Sequence, residues 1–183
     1  MAARKAMTDS FFIRGRVNAG NTNVQDITTI DLGAYVDALG QSVLRIHKVA
    51  VECADLLGGT LTMDGGATTT GSLRMALTTS FPSTALTSPI LSDNSTIATG
   101  HLIAQGSGDG SAAIPAVIST DFDEMDEAWR NGYLVAVDNI YLSGVASTGF
   151  AEDVYVGVCL ECTVEKLDER SAIALALSQS QNQ

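Results

Sequence analysis

The chain has 183 residues, 45% of them hydrophobic and 17% charged, with 17 Gly and 3 Pro. That is about one domain at the usual ~150 residues per domain, too apolar for a disordered segment and too poor in proline for a collagen-like one. Ten basic against 21 acidic side chains leave a formal charge of −11, which argues against docking a nucleic-acid backbone through the general surface.

Residues 1–10 read as a flexible arm. Their opening, MAARKAMTDS, lacks the continuous apolar core of a secretory signal, and no later run reaches the roughly 20 apolar residues that span a bilayer. Arg4, Lys5, Arg14 and Arg16 make up four of the ten basic residues. A basic arm on an acidic body suits nucleic acid, an anionic membrane or an acidic neighbouring subunit, and equally an ordinary chain start. Phe11, Ile13 and Val17 alternate with Phe12, Arg14 and Arg16, which predicts a strand with a basic outer face.

Thr28 to Leu32 is short and alternating. It either continues as strand through Tyr35 and Val36, or Asp31 caps one or two helical turns that end at Gly40. From Val43 to Cys53 the apolar phase runs through Leu44 and Ile46, then moves to Val49, Val51 and Cys53. A one-residue shift inside so β-branched a run predicts a β-bulge. Thr60 to Met63 and Ser72 to Thr78 flank a glycine-rich segment, 64–71, as a hairpin would. Residues 80–95, with Pro82 and Pro89, predict a long loop. Ile97 to Ala104 predicts a further strand, followed by a loop at 105–112. Tyr133 to Val137 and Asn139 to Val145 form the next strand region, read as one long strand interrupted near Asp138.

Val154 to Val164 is the clearest signal. Val154, Val156, Val158, Leu160, Cys162 and Val164 alternate without a fault against Tyr155, Gly157, Cys159, Glu161 and Thr163, so one face is wholly apolar. This settles the Cys159–Cys162 pair, whose spacing otherwise suits zinc or redox chemistry. Residues three apart in a strand point to opposite sides, so Cys162 faces the core, Cys159 faces away, and one metal ion cannot take both. Three cysteines, Cys53 included, also make no secreted disulfide framework. Beyond this strand, Asp168 predicts the cap of a helix to about Ser180, with Ile173, Leu177, Ala172 and Ala176 on one face.

Catalytic chemistry finds little support. His47 and His101 both lie in strand runs, His47 facing outward beside Arg45 in the shifted phase, and no nucleophile elbow, zinc-protease motif or phosphate loop occurs. A hydrolase would need one of these histidines beside a carboxylate or hydroxyl in a cleft. Asp121 to Glu127 holds five carboxylates in seven residues. The simplest reading is an exposed helix start, Asp121 capping 122–130. A subunit contact or calcium are the alternatives, although the EF-hand spacing is absent, and a glycosidase pair would need carboxylates across a cleft.

In all, about seven to nine strands with long loops and no alternating helices predict an all-β chain, an antiparallel β-sandwich rather than a doubly wound enzyme fold. Three stretches together carry a resemblance: Thr29 to Asp37, Val43 to Val51, and Val154 to Leu167 running into the helix at Ser171 to Leu177. They resemble the major capsid proteins of small tailless icosahedral viruses with a single jelly roll. The resemblance implies a single jelly roll of about eight strands over 11–167 and a C-terminal helix and tail over 168–183. It brings no catalytic residue, no cofactor and no metal, and it implies copies of the chain itself as partners in a virion capsid. A second capsid or vertex protein fits the same picture, as does contact of the N-terminal arm with the genome or an inner membrane. The weakly basic start departs from many such proteins and suits an inner membrane, or a genome held otherwise. The alternative is a glycan- or receptor-binding β-sandwich, a fibre head or lectin-like module, for which Asp126 to Trp129 is the place to look.

Overall fold

The computed structural model describes residues 8–37, 42–65, 70–82, 92–106, 115, 117–122 and 131–180. Among these residues nine strands and one helix follow in chain order: β1 (Phe11–Gly20), β2 (Asp26–Asp31), β3 (Ser42–Ala54), β4 (Thr70–Thr78), β5 (Thr96–Gln105), β6 (Val117–Phe122), β7 (Tyr133–Val135), β8 (Asn139–Ala146), β9 (Val154–Lys166) and α1 (Glu169–Ser180). They form two sheets of orders β1-β9-β3-β7 and β2-β8-β4-β5-β6, with every pairing antiparallel. Apart from the β4–β5–β6 run, each connection carries the chain from one sheet to the other. With β6 set aside as an added edge strand, the eight remaining strands interleave as two Greek keys, which is a jelly roll.

The core is the layer between the sheets. Val156, Val158, Leu160 and Cys162 of β9 and Leu44 and Ile46 of β3 face Leu73, Met75 and Leu77 of β4 and Ile140 and Leu142 of β8. The expected bulge is present: the β3–β9 register shifts between Ile46 and Lys48, so His47 is the extra residue. That single insertion lets Leu44 and Ile46, then Val49, all turn inward along a 13-residue strand.

Two local expectations are corrected. Thr60 to Met63 and β4 do not pair as a hairpin; β4 lies between β5 and β8, and the earlier segment makes only one bridge, Met63 to Phe150. Leu61 and Met63 are buried, so their alternation reports burial at the end of the sandwich rather than strand pairing. Tyr133 to Val145 is not one interrupted strand, because β7 and β8 lie in opposite sheets and 136–138 crosses between them. Asp121 and Phe122 end β6, in register with His101 and Gly100, and 123–130, where the rest of the expected helix falls, lies outside the described residues. Of the two readings after Leu32, the turn is nearer. Asp31 Oδ1 accepts the Gly33 N–H at 2.8 Å, and Leu32 O accepts the N–H groups of Tyr35 and Val36, while Gly40 lies outside the described residues. The expected loops at 64–71, 80–95 and 105–112 fall largely outside them as well, although Thr70 and Gly71 already belong to β4.

Helix α1 starts as expected. Asp168 accepts the Ser171 N–H at 3.0 Å and its hydroxyl at 2.6 Å; these hydrogen bonds hold the Asp168 carboxyl below its ordinary range. Its docked face differs from expectation. Ala172, Leu175 and Ala176 pack with Val43, Leu134, Ala136 and Leu167, while Leu177 is 53% exposed. Gln179 decides this orientation, since its side chain accepts from Ala136 N at 2.9 Å and donates to Leu134 O at 2.6 Å. The helix thereby covers the open edge of β7, which would otherwise leave backbone groups unpaired.

Candidate functional site

The cysteines sit as the alternation requires. Cys162 is buried and Cys159 half-buried on the opposite side of β9, and among the described residues no group of three or more metal-binding side chains comes together. Burial, with Cys159 and Glu161 adding repulsion, pushes the Cys162 thiol up to about 12. Burial, with Glu52 adding to it, does the same to Cys53. Both thiols therefore stay protonated at pH 8, and a thiol is a poor nucleophile. Iodoacetamide on the native protein at pH 8 is expected to modify Cys159 well before Cys53 or Cys162, read by peptide mass mapping. Because the folded values lie above the unfolded 9.0, their contribution to stability is complete below pH 9. It is lost as pH rises from 9 towards 12, by on the order of 1 kcal/mol per pH unit for buried Cys162. Cys162→Ala should remove that share of the alkaline slope.

Among the described residues, the histidines do not meet a catalytic partner in a cleft. His47 Nε2 lies 2.9 Å from Thr163 Oγ1, but Thr163 is itself buried, so the contact seats the bulged residue. His101 stands on the outer face of β5, in register between Arg74 of β4 and Asp121 of β6. The expectation that His47 faces outward beside Arg45 meets a half-buried His47 and a buried Arg45. Arg45 is buried, and its guanidinium forms a two-point pair with Glu165, Nε to Oε1 at 2.5 Å and Nη2 to Oε2 at 2.8 Å. Its Nη1 donates to Asn131 O. The rest of the acidic cluster beyond Asp121, and Asp126 to Trp129, lie outside the described residues.

The site that takes shape lies on the outer face of the four-stranded sheet. Strand register sets Arg14, Cys159 and Ala50 in one row and Arg16, Gly157 and Glu52 in the next. Gly157 leaves a dip between its neighbours. A trough of about 360 Å³ runs over it beside Arg14, Ala50 and Cys159. A second hollow of about 240 Å³ shares Arg16, Glu52 and Gly157 and reaches Leu56, Leu57 and Tyr155. Arg16 stacks 4.2 Å above the Tyr155 ring and donates to the carbonyls of Asp55 at 2.9 Å and Leu56 at 3.1 Å. Asp55 Oδ1 in turn accepts the N–H groups of Leu57 at 2.8 Å and Gly59 at 2.7 Å, and Gly58 supplies a φ of 83°. The loop after β3 is thus held in one shape, with Leu56 59% and Leu57 93% exposed. Sequence reading passes over this surface. Its one signal is a glycine in the middle of a strand, which marks a close approach or a weak point.

No protein family matches the sequence, and no curated protein does. Among solved structures, the fold is similar to VP1 of Human Polyomavirus 7, described as a pentamer, with 10% identity and a TM-score of 0.48 over 90% of this chain and 98% of that one. VP1 of Trichodysplasia spinulosa-associated polyomavirus, in complex with GM1 oligosaccharide, gives 11% and 0.47 over 88% and 97%. Merkel cell polyomavirus VP1, an unassembled pentamer, gives 10% and 0.46 over 87% and 98%. The strand order by itself defines this chain as an antiparallel jelly-roll β-sandwich with a C-terminal helix.

Proposed function

We propose that the chain is a structural virion protein, a jelly-roll subunit that assembles with copies of itself into an icosahedral capsid shell. The observation that carries the reading is the jelly-roll strand order, an architecture shared by viral capsid and lectin domains. Around that core, Phe12, Leu56 and Leu57 stay exposed. The sequence resemblance supports the capsid reading over the lectin one. Two of its stretches are bulged β3 and β9, which pair side by side in the four-stranded sheet. A shell is tiled by repeated interfaces, each of roughly 1,000 Å² or more when stable, and needs a rigid subunit rather than a catalytic cleft. The location is then the virion, and the basic arm ahead of Thr8 is the element that would meet a genome, an inner membrane or a second capsid protein. Thr8 anchors that arm, its hydroxyl accepting the Val164 N–H at 3.0 Å.

Sedimentation velocity with electron microscopy of the purified chain tests the reading. Closed particles of uniform size are the expected result. A monomer or small oligomer that stays discrete at high concentration and binds glycans on an array would replace it with a glycan-binding module.

A further inference from the structure

We infer that the outer face of the four-stranded sheet, from Phe12 across the trough over Gly157 to Leu57, is a contact surface for a second copy of this chain; the inference rests on the capsid reading and names the face it uses. The glycine is the first reason. Gly157 sits in β9 between two partner strands, a place where glycine is ordinarily unfavourable. Among the described residues a Cβ there would meet only Glu52 atoms at 3.9 Å, ordinary contact, and its backbone is not in the left-handed region. Neither conformation nor local packing calls for glycine, and what its missing side chain does is open the trough.

The second reason is the leucine pair. Asp55, Gly58 and Arg16 fix the loop, so that Leu57 is held almost wholly in water. Rigid apolar projections bind with little loss of freedom, and exposed apolar groups grouped on one face mark interaction sites.

Charge selects the occupant. Arg14, exposed, and Arg16 form a cationic strip on a chain of net charge −11. Glu52, Asp55 and Glu161 lie within or beside the strip, so the face carries both signs in alternation, a pattern that a uniformly anionic phosphate backbone or lipid surface does not match. A protein surface carrying both signs is complementary to it, and another copy of this chain, with 10 basic and 21 acidic side chains, presents one.

The test uses the full chain with Leu57→Asp, Gly157→Leu and Arg14→Glu made separately. All three sites lie outside the core, and circular dichroism with thermal melting establishes that each variant folds like the parent. Loss of particles, or an increase of about tenfold or more in the concentration needed to form them, in Leu57→Asp and in at least one of the other two is the expected result. Should a variant fail to fold, the remaining ones decide. Parent-like assembly in all folded variants would overturn the inference and leave the capsid reading standing. A parent chain that stays monomeric would overturn both. Parent binding to phosphatidylserine vesicles that Leu57→Asp abolishes, with particle formation unchanged, would reassign the face to a lipid surface.

Discussion

Arg45→Met is expected to destabilise the fold by about 3–5 kcal/mol, the usual penalty for stripping one partner from a buried ion pair. Arg45 and Glu165 are both buried, joined at two points across β3 and β9, and Arg45 also satisfies the Asn131 carbonyl. Removing the guanidinium takes its two-point partner from a buried carboxylate. The double variant Arg45→Met/Glu165→Leu should recover most of the loss, because replacing a buried pair with apolar side chains is often neutral or stabilising. Urea unfolding of the two single variants and the double variant measures the cycle. A single-variant loss under about 1 kcal/mol would show that the pair is solvated in practice, as surface pairs are.

Phe150→Ala is expected to cost about 3–5 kcal/mol as well, by the transfer and cavity terms of a large core truncation. Phe150 is among the largest fully buried side chains and closes the end of the sandwich, bridging to Met63 and lying flat over Gly71. A Cβ at Gly71 would come within 2.7 Å of its ring, closer than carbon atoms approach without displacement. Gly71→Ala alone should therefore be strongly destabilising through overpacking. In the Phe150→Ala background the same methyl enters the vacated space, and its cost should largely vanish. A coupling energy near zero in the four-member unfolding cycle would contradict the packing described here.

Much of the architecture is legible in residue order because strands write their burial at period two. β9 shows this from Val154 to Cys162, before Thr163 is covered as well, and so decides the fate of its two cysteines without any coordinates. The bulge in β3 is legible for the same reason, since a phase change is a one-dimensional event. The helix start is legible through Asp168, a purely local hydrogen-bonding device.

The misreadings share a cause. Tyr133 to Val145 looks like one strand because a continuous apolar run does not record that the chain changes sheet at 136–138. Thr60 to Met63 looks like a hairpin arm because burial against Phe150 leaves the same alternation as pairing. On α1, apolar residues lie on more than one side, so the docked face is chosen by Gln179 reaching the edge of β7. The trough over Gly157 and the Asp55 loop were missed because they exist only where β1, β9 and β3 lie side by side.

By itself, then, the order of residues determined the class of fold, the inward and outward faces of the longest strands, the bulge and the helix cap, all features governed by interactions within a few positions. Tertiary structure alone decided that Arg45 meets Glu165, that β7 and β8 part company, and that two leucines and an empty glycine position share one surface. Those contacts join residues far apart in the chain, and no local periodicity encodes which distant partner will arrive.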